Sequence, residues 1–237
     1  MKTVLHTAST RGHANHGWLK ANHSFSFANY YDPERVHFGA LRVLNDDTIA
    51  PGMGFGSHPH DNMEIITIPL EGDLEHKDSM GCHGVIKAGD VQVISAGTGI
   101  YHSEYNHNAD QPINLLQIWI FPNQKDVTPR YEQMSIRDLH QSNQFYQILS
   151  PKSADAGVWI HQDSWFHLGE FDQDTTQTYT IKKEGNGVYA FVIKGTATIE
   201  QLSLNQRDAA GIWDTDSFTI HTKKGSQVLL IEVPMQF

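Results

Sequence analysis

Nowhere in this chain does a hydrophobic pattern of helical period last long enough to build a helix of ordinary length; short apolar runs are cut by turn residues instead. Ala40-Leu41-Arg42-Val43-Leu44 leads into Asn45-Asp46-Asp47, which reads as a turn. Met63 to Ile68 leads into Glu71-Gly72-Asp73, and Val85-Ile86 and Val91 to Ile94 flank Lys87-Ala88-Gly89-Asp90. Asn114 to Phe121 forms a long apolar strand stopped by Pro122. Many short strands with closely spaced turns favour a β-sandwich or barrel over an alternating α/β fold. A single short helix is expected, around Ser135 to His140.

The second half repeats the rhythm of the first. Tyr189 to Ile199 mirrors the strand-turn-strand around Gly72, and Val228 to Val233 closes the chain as Leu115 to Phe121 closes the first half. Placing Gly195 on Gly72 implies an offset of 123 residues. The stretch between the halves is polar and poor in β-branched runs. The expected organisation is a first barrel over residues 1–122, a linker over 123–150 and a second barrel over 151–237.

Composition limits the partners. With 17 Lys+Arg against 27 Asp+Glu the formal net charge is −10, and no basic cluster is visible, so direct contact with nucleic acid is not expected. The single cysteine, Cys82, cannot form an internal disulfide. The opening Met1-Lys2-Thr3-Val4-Leu5-His6 lacks the apolar stretch of a signal peptide. No run approaches the roughly 20 apolar residues of a membrane span, so a cytoplasmic protein with no membrane partner is expected. Histidine is unusually abundant: of 15, eleven lie at or before His107.

Two clusters account for part of that excess. In Gly52-Met53-Gly54-Phe55-Gly56-Ser57-His58-Pro59-His60-Asp61-Asn62-Met63-Glu64, strand alternation puts His58 and His60 on one face, with Glu64 on the same parity. Pro59 points the other way and suits an edge strand. In Ser95 to Asn106, His102 and Glu104 repeat the two-residue spacing. Three imidazoles and a carboxylate suit iron(II), manganese, nickel or zinc better than a thiolate-preferring ion. A lone His-x-His pair is common by chance, and the second pair beside a Gly-rich turn strengthens the reading. Spacing alone leaves Glu64 and Glu104 both open as the carboxylate. His37, His76, His83 and His107 read as ordinary surface or hydrogen-bonded groups, while Phe55, Met53 and Met63 are expected to line a cavity or pack in the core.

These clusters resemble the two motifs of a cupin barrel: Gly52, His58, His60, Glu64 and Gly72 in the first, Gly89, Gly97, His102 and Asn106 in the second. More narrowly, the chain resembles the pirin family, through His16-Gly17-Trp18-Leu19, His23 to Pro33, Leu41 to Asp47, Glu75 to Gly81 and Ser95-Ala96-Gly97-Thr98-Gly99. The resemblance is dense over residues 11–122 and looser afterwards, where Gly211-Ile212-Trp213-Asp214 is the clearest echo. It implies an all-β bicupin monomer, two tandem double-stranded β-helix (jelly-roll) barrels, with one metal in the first.

The ligands it implies are His58, His60, His102 and Glu104, leaving Glu64 a supporting role. The metal it implies is a divalent transition ion, iron(II) first, with manganese, nickel, copper, cobalt or zinc as alternatives. The activity it implies is that of a quercetin 2,3-dioxygenase, which opens a flavonol with O₂ and releases carbon monoxide. Glu104 is then a general base as well as a ligand. The alternative is a non-enzymatic redox sensor or regulatory protein acting through a protein partner, because eukaryotic members of the family are associated with transcriptional co-regulation. Shifting the ligands by the repeat offset lands on Ile181, Lys183, Gly225 and Gln227, so no metal is expected in the second barrel.

Overall fold

The computed structural model describes all 237 residues, nearly all of them in strands and turns. The β-branched runs form two seven-stranded sheets, each facing a four-stranded sheet across a barrel interior. In the first barrel the large sheet runs, in spatial order, Arg130–Ser135, Asp90–Ser95, Glu64–Glu71, Ile113–Ile120, Leu41–Ile49, Leu19–His23 and Gly12–Asn15. Its small sheet runs Gly54–His60, Ile100–Asn106, Asp73–Asp78 and His83–Lys87. The second barrel repeats the plan: Ala209–Trp213, Asn186–Lys194, Ser226–Pro234 and Trp165–Phe171 form the heart of its large sheet. Its small sheet runs Thr175–Thr180, Ser217–Thr222, Ala197–Ile199 and Leu202–Leu204.

The expected repeat is visible in the turns. Gly72 (φ 80°) joins Glu64–Glu71 to Asp73–Asp78, and Gly195 (φ 74°) joins Asn186–Lys194 to Ala197–Ile199. Both positions are left-handed, where a side chain would be strained. The largest apolar cluster lies between the barrels: Leu44, Ile66 and Ile118 of one large sheet pack with Phe166, Phe191 and Ile231 of the other. The two barrels therefore stand back to back and leave their small sheets outermost. No helix is long and apolar enough to cross a membrane.

The structure departs from expectation in four places. Asn45-Asp46-Asp47 is not a turn but the middle of the Leu41–Ile49 strand. Tertiary partners make this affordable: Asn45 Oδ1 meets His23 Nδ1 at 2.9 Å, and Asp46 pairs with Arg11 at 3.2 Å and Arg207 at 3.5 Å. The expected helix is only a single 3₁₀ turn, Arg137–Leu139, preceded by a strand. So short a segment does not repay helix nucleation. The expected linker contains Arg130–Ser135, which pairs with Asp90–Ser95 of the first barrel, and Phe145–Ser150, which pairs with Trp165–Phe171 of the second. Arg130–Ser135 is an edge strand, where polar residues are favoured, so its composition resembles a loop. Finally, Lys2–His6 pairs with Ala209–Trp213 and so lies in the second sheet, not the first.

Candidate metal centre

Gly54–His60 is the outer strand of the first small sheet, and Pro59, which lacks an N–H, sits exposed on it. Its neighbour Ile100–Asn106 sets His102 directly opposite His58, with a bulge before Glu104. Bulges re-aim side chains at sites of this kind. The three imidazoles converge: ring centroids are 4.3 Å apart for His58 and His102, 4.9 Å for His58 and His60, and 5.0 Å for His60 and His102. One nitrogen from each lies within 4.8 Å of the other two.

The donor chemistry fits a cation. His58 Nδ1 donates to the Gly56 carbonyl at 2.8 Å, which fixes the tautomer and leaves Nε2 a free lone pair. His102 is buried with neither ring nitrogen hydrogen-bonded. A buried ring with no partner at either nitrogen is costly, and a coordinated ion would satisfy one of the two. Burial, reinforced by the neighbouring imidazoles, lowers the His60 pKa to about 4 and that of His102 to about 3. Both are therefore neutral near pH 7, the state in which imidazole ligates.

Glu104 lines the same cavity and is buried, though it is not within the tight imidazole cluster. Gln117 Nε2 donates to its carboxylate at 3.0 and 3.3 Å, and Thr67 Oγ1 at 3.4 Å. Glu64 is elsewhere: buried, accepting from Ser95 Oγ at 2.7 Å, with Arg130 nearby, and absent from the cavity wall. Burial pushes its pKa up to about 7.

The cavity measures about 380 Å³, within the range of small-molecule sites. Trp18, Phe27, Phe55 and Trp119 give it aromatic walls. Phe55 is thus placed as expected. Met53 instead lies exposed, and Met63 packs beside Ile65 and Ile94. The sequence does not single out four contributors from the large sheet: Thr67, which lies within the first motif but is not one of its marker residues, and Asp47, Gln117 and Trp119, which lie outside both. His76 is a hydrogen-bonded histidine, as expected, and it lies beside the cluster. It is fully buried, bonded to Asp78 at 3.0 Å, and its ring lies 5.6 Å from His102. Cys82 sits in the turn after Asp78, whose Oδ1 accepts its N–H.

The second barrel holds no such cluster. Its strand pairing corrects the fixed offset: Leu74 faces Asn106 as Ala197 faces Thr222, and His58 faces His102 as Tyr179 faces Phe218. The positions matching the three imidazoles and Glu104 are therefore Tyr179, Ile181, Phe218 and Ile220. Insertions in the loops move the offset, so a shift of 123 residues holds only near Gly72 and Gly195.

Comparison with known proteins agrees with this plan. The pirin family model matches residues 4–120, and a model described as the quercetinase C-terminal cupin domain matches residues 147–233. A protein named quercetin 2,3-dioxygenase from Escherichia coli K12 is 46% identical over 230 residues, covering 97% of this chain and 98% of that one. A pirin-like protein from Caulobacter vibrioides is 40% identical over 222 residues, covering 93% of this chain and 95% of its own length. The crystal structure of the E. coli pirin YhhW in complex with nickel(II) superposes with a TM-score of 0.92 at 43% identity, covering 98% of this chain and 99% of that one. With matching sequence, matching barrels and an imidazole cluster in the first barrel alone, this chain is a member of the pirin family.

Proposed function

We propose that the protein is a metal-dependent dioxygenase that opens a flavonol such as quercetin with O₂ and releases carbon monoxide. The observation that carries this reading is a set of three imidazoles, two of them held neutral by burial, in an aromatic-walled cavity of about 380 Å³. His58, His60 and His102, joined by Glu104, hold one divalent transition ion. The donor set suits iron(II), manganese, nickel or zinc; the family resemblance puts iron(II) first, and nickel(II) is the ion in the E. coli pirin complex. When bound, the ion supplies Lewis acidity and the electronic coupling that lets O₂ react with an electron-rich enolate.

The chain's own residues do the rest. Trp18, Phe27 and Trp119 offer flat apolar faces to a planar ligand and exclude water around it. Gln117 and Thr67 hold the Glu104 carboxylate toward the cavity. There Glu104 accepts the proton of the substrate's enolic hydroxyl, a transfer that requires an approach of about 2.6–3.2 Å. The relative from E. coli K12 carries the same activity in its name, which supports the substrate class.

The test is anaerobic loading with iron(II), manganese, nickel or copper, then O₂ uptake and product analysis with quercetin. Turnover that depends on metal and disappears in a folded His58→Ala variant is the expected result. Stoichiometric metal binding with no turnover under any metal would shift the reading to a metal-dependent sensor or regulatory protein. Failure to bind metal at neutral pH would overturn it altogether.

A further inference from the structure

Asp47 is the anomalous residue of the cavity. It is only 4% exposed, it lines the cavity wall, and its Oδ1 is buried without any hydrogen-bond partner. Its neighbours in the strand differ. Asp46 faces the other way, into Arg11 and Arg207, and Asn45 is satisfied by His23. A buried carboxyl left unpaired is destabilising, and such groups concentrate where a ligand completes them.

Its position defines what it can meet. His58 and His102 stand on the small sheet, whereas Asp47 stands on the large sheet, on the strand next to that of Gln117 and Trp119. The two walls meet beside it, where Gln117 of the large sheet donates to Glu104 of the small sheet at 3.0 Å, so a ligand seated against the imidazoles can reach Asp47 as well. Trp119 Nε1, on the same large sheet, is also buried without a partner. Burial, with the charges of Asp46 and Glu104, pushes the Asp47 carboxyl up to about 8. Whatever its charge, the unpartnered Oδ1 can accept a hydrogen bond from a hydroxyl.

We infer that Asp47 is a specificity-determining residue: from the large-sheet wall of the cavity it hydrogen-bonds a phenolic hydroxyl, other than the enolic one, of a polyhydroxylated aromatic substrate. The inference rests on the flavonol reading and adds the rule that hydroxyls beyond the enol are recognised by the large sheet. It predicts that ligands lacking those hydroxyls ignore Asp47.

The experiment uses full-length protein loaded with zinc, so that binding is read without turnover. Dissociation constants for quercetin and for 3-hydroxyflavone, which has only the enolic hydroxyl, are measured by tryptophan quenching. Asp47→Ala is expected to weaken quercetin about tenfold, or about 1.4 kcal/mol, and to change 3-hydroxyflavone less than about twofold. Asp47→Asn, which keeps an acceptor oxygen, is expected to retain quercetin within about threefold. Melting temperature and zinc content serve as controls, and Asp47→Leu replaces the alanine variant if that one does not fold. Equal weakening of both ligands, or of neither, overturns the inference while leaving the flavonol reading intact. Wild-type protein that binds neither ligand overturns both.

Discussion

The two barrels share a strand plan and differ in what fills it. Where the first has His58 opposite His102, the second has Tyr179 opposite Phe218, and where the first has Glu104 held by Gln117 and Thr67, the second has Ile220, Leu230 and Ala190 in matching pairings. These residues join a continuous apolar cluster in the second barrel. In the first, the apolar residues divide into smaller groups that leave the cavity between the sheets. The remaining polar atom of Tyr179 is not orphaned: its hydroxyl donates to buried Glu232 at 2.8 Å, and Glu232 also accepts from the Lys182 and Lys183 amides. One barrel is filled to stabilise itself, and the other keeps unsatisfied groups around a cavity.

That contrast can be broken by exchanging residues. The largest effect is expected for His102→Phe, which installs the second barrel's residue. Metal affinity should fall by more than about a hundredfold, because a buried ligand is removed outright. The metal-free protein should melt at the same temperature or higher, since two unpartnered nitrogens are removed. Metal analysis and a melting curve decide it, and retained stoichiometric metal would sink the ligand assignment.

The converse change, Phe218→Ala, should cost about 3–5 kcal/mol of stability through the cavity it leaves, with no change in metal content. Denaturant unfolding reads this directly. A small loss would mean that the second barrel is not packed as tightly as its apolar cluster indicates.

Acid should loosen both barrels, since burial lowers the pKa of His60 and His102 in the first as it lowers that of His167 in the second. Burial, with a smaller contribution from Lys182, lowers the His167 pKa to about 4. The unfolded chain takes up this proton near pH 6.5, so stability is complete above that value and is lost as pH falls from 6.5 towards 4. The loss reaches roughly 3 kcal/mol for this residue alone. The melting temperature of His167→Gln should fall less steeply over that window than that of wild type; parallel curves would rule the histidine out.

The smallest effect is expected for Gln117→Leu, which copies Leu230 and releases the Glu104 carboxylate. Metal affinity should drop about 10–100-fold, as for other groups that orient a ligand, and the metal-free protein should lose about 1–3 kcal/mol because the buried Glu104 carboxylate is left short of donors. Titration with a chelator as competitor measures it.

The sequence made the barrels and the imidazoles legible because both are local signals. Strand alternation and Gly-marked turns are read within about ten residues, and His58, His60 and His102 lie in two short motifs. What it hid depends on partners far along the chain. Asn45-Asp46-Asp47 looks like a turn until Arg11, Arg207 and His23 are seen beside it. Gln117 and Thr67 look like ordinary strand residues until the large sheet brings them to Glu104. Arg130–Ser135 was hidden by its edge position. The second barrel's matching sites were misread because loop lengths, which carry no periodic signal, set the true register.

The crossing of Lys2–His6 into the second large sheet bears on how the molecule is made. Lys2–His6 and Ala209–Trp213 lie far apart in the sequence, and their pairing covers the edge that Ala209–Trp213 would otherwise expose. Without Lys2–His6, the buried apolar strand Ala209–Trp213 becomes a bare sheet edge, the kind of edge that recruits other chains. Closing a loop of such length is slow rather than costly, because the entropy rises only with the logarithm of chain length. The second barrel cut out alone is thus expected to self-associate, and a peptide spanning residues 1–10 supplied in trans should suppress it.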